Sequence, residues 1–259
     1  IQFSDVRSFV RRNYVPANAS ITIGGNFELS NARDLIEKYF GKLEPGRGKQ
    51  WTKGIVPFSP IGQGGFILED NIRFNQLMLV FPTVNAGHPD EAALRMLAQV
   101  LSGSPEAVLK RILPKQNPLI LSIETSQSSQ ELTGTFSVTV TCKMETQLQL
   151  VYDAVMNILT SLAESGVPED DLVSARNHAA MAFYAPLEAF YGFGGRSDIL
   201  NLGNLMGGTP LFSVNQFNAT LASGSPSLQR VAATYLTKNN QLVISVLPSG
   251  KSTQAVMLN

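Results

Sequence analysis

Two histidines, one cysteine, one arginine-bearing helix and one glycine-rich turn are the places in this 259-residue chain where chemistry could be sought. His88 and His178 lie 90 positions apart (178 − 88), and no second histidine stands three or four residues from either. Two imidazoles that hold one metal from a single helix need that one-turn spacing. His88 precedes Pro89-Asp90-Glu91, a helix-opening sequence, so it reads as a cap or loop residue. His178 falls between Ala175 and Met181 on a helical stretch and reads as ordinary helix surface. Cys142 closes an alternating strand and reads as a small buried apolar residue, because a nucleophile needs a base and no histidine is near it in sequence. Gly192-Phe193-Gly194-Gly195 lacks the preceding strand and the lysine of a phosphate loop, so it reads as a helix break. These residues supply no catalytic and no metal-binding assignment.

The composition narrows the function further. The chain is 44% hydrophobic, enough for a large core, and its 20 basic and 20 acidic residues cancel. That balance gives no pull on polyanions, so nucleic acid and acidic lipid are not expected partners. No run of about 18 apolar residues is present, so no membrane span is expected. The first residue is Ile1 and an amphipathic helix follows almost at once, which reads as a processed product or a piece of a longer chain.

The elements that must position these residues alternate between strand and helix periods. A short helix with Val6, Phe9 and Val10 on one face leads into Tyr14–Asn18, broken by Pro16. Ala19–Phe27 reads as a strand, and Asn31–Phe40 as a helix stopped by Gly41. Residues 45–64 are rich in glycine and proline and read as a linker. This places the tail of a preceding domain at 1–44 and a second domain at 65–250. In that domain Gly65–Asp70 and Phe74–Thr83 read as strands, then a helix from His88 to Gly103, then a short helix over about 105–113 that ends at Pro114. Leu119–Ser126 and Glu131–Lys143 read as a hairpin with one buried and one wet face. Helices follow over 146–164, from Pro168, over 196–206 and over 226–236, with a closing strand at Gln241–Leu247. The expected class is α+β, a two-layer sandwich of antiparallel sheet covered by helices.

Several blocks carry a family resemblance. Asn13-Tyr14-x-Pro16-x-Asn18-x-x-Ile21-x-Ile23-x-Gly25 and Leu35-Ile36-Glu37-Lys38-Tyr39-Phe40-Gly41 come first. Phe81-Pro82, His88-Pro89-Asp90-x-x-Ala93-Leu94, Gly166-Val167-Pro168-Glu169-Asp170-Asp171-Leu172 and Tyr235-Leu236 to Pro248 follow in order. Together they resemble the pitrilysin, insulin-degrading enzyme and mitochondrial processing peptidase family, in its C-terminal, non-zinc-binding domain. The resemblance implies the fold of the mitochondrial processing peptidase-like metallohydrolases, with halves that clamp around a peptide.

The family's zinc site is H-x-x-E-H plus a downstream glutamate, and its pattern places that motif before the Asp5-Val6 helix. The resemblance therefore implies no cofactor in this chain and a zinc ion in the parent or partner half, if active. It also implies an arginine and a tyrosine that hold substrate backbone. Here Arg111 is the only nearby arginine, the one candidate substrate-binding residue, and Leu121 stands about where the tyrosine would be. Leucine donates no hydrogen bond. Two functions stay open: the substrate-enclosing half of a zinc metallopeptidase, or an inactive homologue that binds and assembles with an active zinc peptidase. The implied partners are a peptide and a homologous zinc-bearing domain or subunit. Bacterial relatives are often periplasmic and organellar ones mitochondrial, so the resemblance favours a periplasmic setting only for a bacterial source, and the residues themselves fix no compartment.

Overall fold

The computed structural model describes residues 1–47, 54–189 and 194–258. Residues 48–53 of the expected linker, and Gly192 and Phe193 of the glycine-rich turn, lie outside them. In chain order the elements begin with α1 (Phe3–Asn13), α2 (Leu29–Phe40), β1 (Gly62–Asp70), β2 (Asn75–Thr83), α3 (Glu91–Ser102) and α4 (Val108–Gln116). There follow β3 (Ile120–Ser129), β4 (Gly134–Cys142), α5 (Leu148–Ser165) and α6 (Glu169–Tyr184). The last are α7 (Arg196–Gly207), α8 (Phe212–Ala222), α9 (Ser225–Tyr235) and β5 (Asn240–Pro248). The chain divides into two compact units, Ile1–Gly54 with Ala185–Ser213, and Ile55–Tyr184 with Val214–Asn259.

The second unit is the α+β sandwich. Its five strands lie in the order β1-β5-β2-β4-β3. The pairs β5–β2, β2–β4 and β4–β3 are antiparallel, whereas β1 and β5 run parallel. The sheet is therefore mixed at one edge. A parallel pair needs a long crossover, and here the chain leaves β1 and returns in β5 only after every other strand is laid down. Strict alternation on β2, β4 and β5 sends Leu77, Leu79, Phe81, Phe136, Val138, Val140, Val243 and Leu247 into one buried layer. The apolar stripes of α3, α5 and α9 (Leu94, Leu97 and Leu101; Val155 and Leu159; Leu228 and Val231) join them in a single core. Helices α3, α4, α5 and α9 supply the described helix cover of the sheet, against β2 and β3.

Local signals fix the helix ends. Glu91 starts α3 with its carboxylate accepting from the Gly87 amide at 2.6 Å and from Arg95 at 2.6 Å. Gly166 ends α5 at φ +78°, where an L side chain is strained, and its amide bonds back to Leu162 at 3.0 Å. Three acids, Glu169, Asp170 and Asp171, occupy the first turn of α6 as the sequence suggests.

Three elements differ from expectation. Ala19–Phe27 forms no strand, because a strand exists only with a ladder partner and the smaller unit offers none among the described residues. Helix α4 runs through Pro114 to Gln116; the proline forfeits one bond in the last turn, while the Asn117 amide still reaches the Leu113 carbonyl at 2.8 Å. Helix α8 has no strong apolar stripe and is not among the expected elements. The smaller unit contains α1, α2 and α7, and α1 and α2 bury no residue despite amphipathic sequences. Val6, Phe9, Leu35, Tyr39 and Phe40 are all exposed.

Candidate functional site

The candidate surface of the larger unit is the face of the sheet opposite its buried layer. Register defines it row by row. One row crosses Phe66, Ile244, Met78, Thr139 and Glu124 from β1 to β3. A second crosses Leu68, Val246, Gln76, Thr141 and Ser122, and a third Gly64, Leu242, Val80, Ser137 and Ser126. Neighbours in register share a face. The surface is therefore split: apolar over β1, β5 and half of β2, and hydroxyl-rich over β4 and β3. The middle of the face (Met78, Val80, Leu242, Ile244 and Val246) is half-buried, whereas Phe66 is 59% exposed. The hydroxyl half is internally bonded in part, with Ser126 and Ser137 at 2.9 Å and Gln76 donating to Thr141 at 3.3 Å. Such a face offers apolar contact to one side of a chain and hydrogen bonds to the other.

The residues considered for chemistry sit on different elements. His88 is half-buried in the loop before α3, and its Nδ1 accepts from the Asp90 amide at 3.1 Å. His178 is half-buried on α6. Cys142 is fully buried at the end of β4, and burial pushes its thiol up to about 11, against a smaller opposing effect of Thr146. No three His, Cys, Asp or Glu side chains gather to hold a metal among the described residues.

Arg111, on α4, is engaged by the fold. Its guanidinium donates to both carboxylate oxygens of Asp171 at 2.7 and 2.9 Å, tying α4 to the first turn of α6, and that hydrogen bonding raises its pKa further. Its side chain remains 43% exposed. Leu121 on β3 is 58% exposed.

A second ionic cluster has no signal in the sequence. The Asp90 carboxylate accepts two bonds from Arg230 at 3.1 and 2.5 Å and one from the Tyr235 hydroxyl at 2.7 Å. Arg230 and, less, Tyr235 hold the Asp90 carboxyl below its ordinary value, although burial opposes them. Burial and the neighbouring carboxylate push the Tyr235 phenol up. The partners are 140 and 145 residues from Asp90, and only the meeting of α3 with α9 reveals them. This cluster ties the start of α3 to α9.

A family model described as the Peptidase M16 inactive domain matches residues 1–178. The chain belongs to that family. As an M16 inactive domain it is a non-catalytic half of M16 zinc peptidases. A search of curated protein sequences returns no match. Among solved structures, a protease from Helicobacter pylori superposes with a TM-score of 0.81 at 16% identity, over 96% of this chain and 59% of that one. A peptidase M16 inactive domain from Pseudomonas fluorescens gives 0.80 at 15% identity, over 100% and 60%. A chain of complex III2 from Candida albicans, determined with Inz-5 bound, gives 0.78 at 13% identity, over 99% and 63%. At these identities the likeness is one of fold. The M16 domain described here spans about three fifths of each of those chains. Among the described residues no helix is long and apolar enough to cross a membrane.

Proposed function

We propose that this M16 inactive domain encloses peptide with the open face of its sheet, opposite a homologous zinc-bearing half that supplies the hydrolytic site. The observation that carries this reading is the split face itself. A five-stranded sheet with helices on one side leaves apolar rows (Met78, Leu242, Ile244, Val246) beside hydroxyl rows (Ser122, Ser137, Thr139, Thr141). An extended or amphipathic peptide can be held there without a sequence code, as suits enclosure. The direct test is binding of a labelled unstructured peptide, followed by anisotropy. Ile244→Glu, in the middle of the apolar half, should weaken binding at least tenfold, while Lys115→Glu on α4 should not. Equal affinity of Ile244→Glu and the wild type would remove the sheet face from the reading. Mixing with a zinc-bearing half should raise cleavage above that half alone.

The domain boundaries belong to the same proposal. Tyr14-Val15-x-x-Asn18-x-x-Ile21-Thr22-Ile23 repeats the spacing of Tyr235-Leu236-x-x-Asn239-x-x-Leu242-Val243-Ile244, and α1 precedes the first as α9 precedes the second. The second copy ends in β5, an interior strand of its sheet. We read residues 1–44 as the matching tail of a preceding domain, whose sheet would complete a strand at Ala19–Phe27 and cover the exposed stripes of α1 and α2; the linker expected at 45–64 then ends at 61, because Gly62–Gly64 already pair in β1.

One observation favours the second reading, an inactive homologue that binds and assembles with an active peptidase. By the family resemblance, exposed Leu121 stands about where the substrate-holding tyrosine would be, and its side chain offers a peptide no hydrogen bond. If the domain is such a subunit, Leu121→Tyr leaves cleavage in the mixed system unchanged. If it encloses substrate, the same change raises it.

A further inference from the structure

Strand β1 has little of its own to hold it on the sheet. Among the described strands its ladder bonds come from β5 alone. The helix cover lies against β2 and β3, and every residue of β1 except Gly64 is exposed. Three of its nine residues are glycines, which lose the most freedom in a strand and pack no side chain. Register puts Ile67 on the core side with Ser245 and Leu77, yet Ile67 is 46% exposed while those two are buried. Segments with few buried contacts open locally at low free energy.

The chain's own C-terminal segment supplies what the helices do not. After β5 the backbone turns at Gly250, at φ +80°, and doubles back toward Ser245. The Val256 amide donates to Ser245 Oγ at 3.0 Å, and the Met257 amide to Gln149 Oε1 on α5 at 3.0 Å. Gln254 Oε1 accepts from Asn75 Nδ2 on β2 at 2.8 Å, and buried Ala255 and Val256 join the core. The segment then grips β1 at two points. The Glu69 carboxylate accepts from the Ser252 amide at 2.9 Å and from the Gly250 amide at 3.3 Å. Leu258 lies against Gly65, so close that a Cβ there would stand 2.9 Å from Leu258 Cδ1. Gly65 is thus where β1 lacks a side chain and Leu258 takes the room. Beyond these, Leu242 lies beside Gly64, and Gln63 Nε2 reaches the Tyr152 hydroxyl at 3.5 Å, a long bond.

We propose that residues 250–258 form a strap that keeps β1 on the sheet, and that β1 opens as its own unit when the strap is released. Phe66 and Leu68 leave the open face with it, so the strap sets how much of the apolar half is presented. That consequence rests on the peptide reading above; the strap itself does not. Of its two grips on β1, the Glu69 bonds are open to water, so the Leu258 contact is the firmer.

The test is amide hydrogen exchange of the 259-residue chain, read by mass spectrometry without peptide. In the wild type β1 should exchange faster than β2 and β4. Leu258→Asp should speed β1 exchange roughly tenfold and Glu69→Ala roughly threefold, with β2 and β4 unchanged. Met257→Ala, at a side chain 69% exposed, should change nothing. A wild-type rate for β1 in Leu258→Asp overturns the proposal. So does a rise shared equally by β1, β2 and β4, which is global unfolding. In a second arm, saturating unstructured peptide should slow β1 exchange in the wild type. Peptide that binds by anisotropy without slowing β1 overturns the link between strap and open face. Peptide that does not bind at all refutes the peptide reading, while the peptide-free rates still decide the strap.

Discussion

Replacing Asp90 tests the lock between α3 and α9. The Asp90 side chain accepts from Tyr235, which is 4% exposed, and from both ends of an Arg230 guanidinium whose side chain is 55% exposed. These two bonds are unequal. A hydrogen bond from a buried hydroxyl to a carboxylate contributes about 1.5–3 kcal/mol. The arginine is open to water, so its pair with Asp90 contributes only about 0.2–1 kcal/mol. Asp90 makes no side-chain cap bond to α3, so no capping loss is added. Asp90→Ala should therefore cost about 2–4 kcal/mol, toward the upper end because the Tyr235 hydroxyl is left buried without an acceptor. Tyr235→Phe should cost about 1.5–3 kcal/mol and Arg230→Ala less than about 1 kcal/mol. Urea unfolding followed by circular dichroism gives all three values. An Arg230→Ala cost equal to or above that of Tyr235→Phe would refute the ranking, as would an Asp90→Ala cost below about 1 kcal/mol. The pH dependence has a definite sign. The folded-state pKa of Asp90 lies below its ordinary 3.8. Its contribution is thus fully present above about pH 3.8 and is lost as the pH falls through the lower folded value. In that window Asp90→Asn should flatten the acid limb of the stability profile.

Three further outcomes follow from the same structure. Leu97, with no solvent exposure, packs in the core between α3 and the sheet, so Leu97→Ala should cost about 2–5 kcal/mol in the same urea assay. The Cys142 thiol, buried and pushed up to about 11, should resist iodoacetamide at pH 8 in the folded chain and react once urea unfolds it; rapid native labelling would contradict its burial. Arg111→Ala removes a half-exposed pair with Asp171 and should lower stability by less than about 1 kcal/mol. We propose that this pairing is the main task of Arg111, so peptide anisotropy should be unchanged in that variant, and a tenfold loss would make it a substrate contact.

Much of the fold was legible because periodicity is a local property. Alternating Phe136, Val138, Val140 and Cys142 name a half-buried strand wherever the chain goes, and the acids after Pro168 open a helix by their own electrostatics. The chain alone also set what the domain lacks, since two histidines 90 positions apart (178 − 88) offer no helical metal pair. Other features needed the tertiary structure because their partners are remote. Sequence cannot say that Asp90 meets Arg230 and Tyr235, or that Arg111 meets Asp171, until helices pack. Nor can it say that β1 lies parallel to β5, which leaves Phe66, Ile67 and Leu68 on an open edge. Ala19–Phe27 shows the limit most directly. Its residues favour a strand, yet strand structure is a relation between two segments, and among the described residues that segment has no partner. Residue type and spacing determined which segments can form helices and strands; only the meeting of distant segments decided which ladders close, which charges pair and which face stays open.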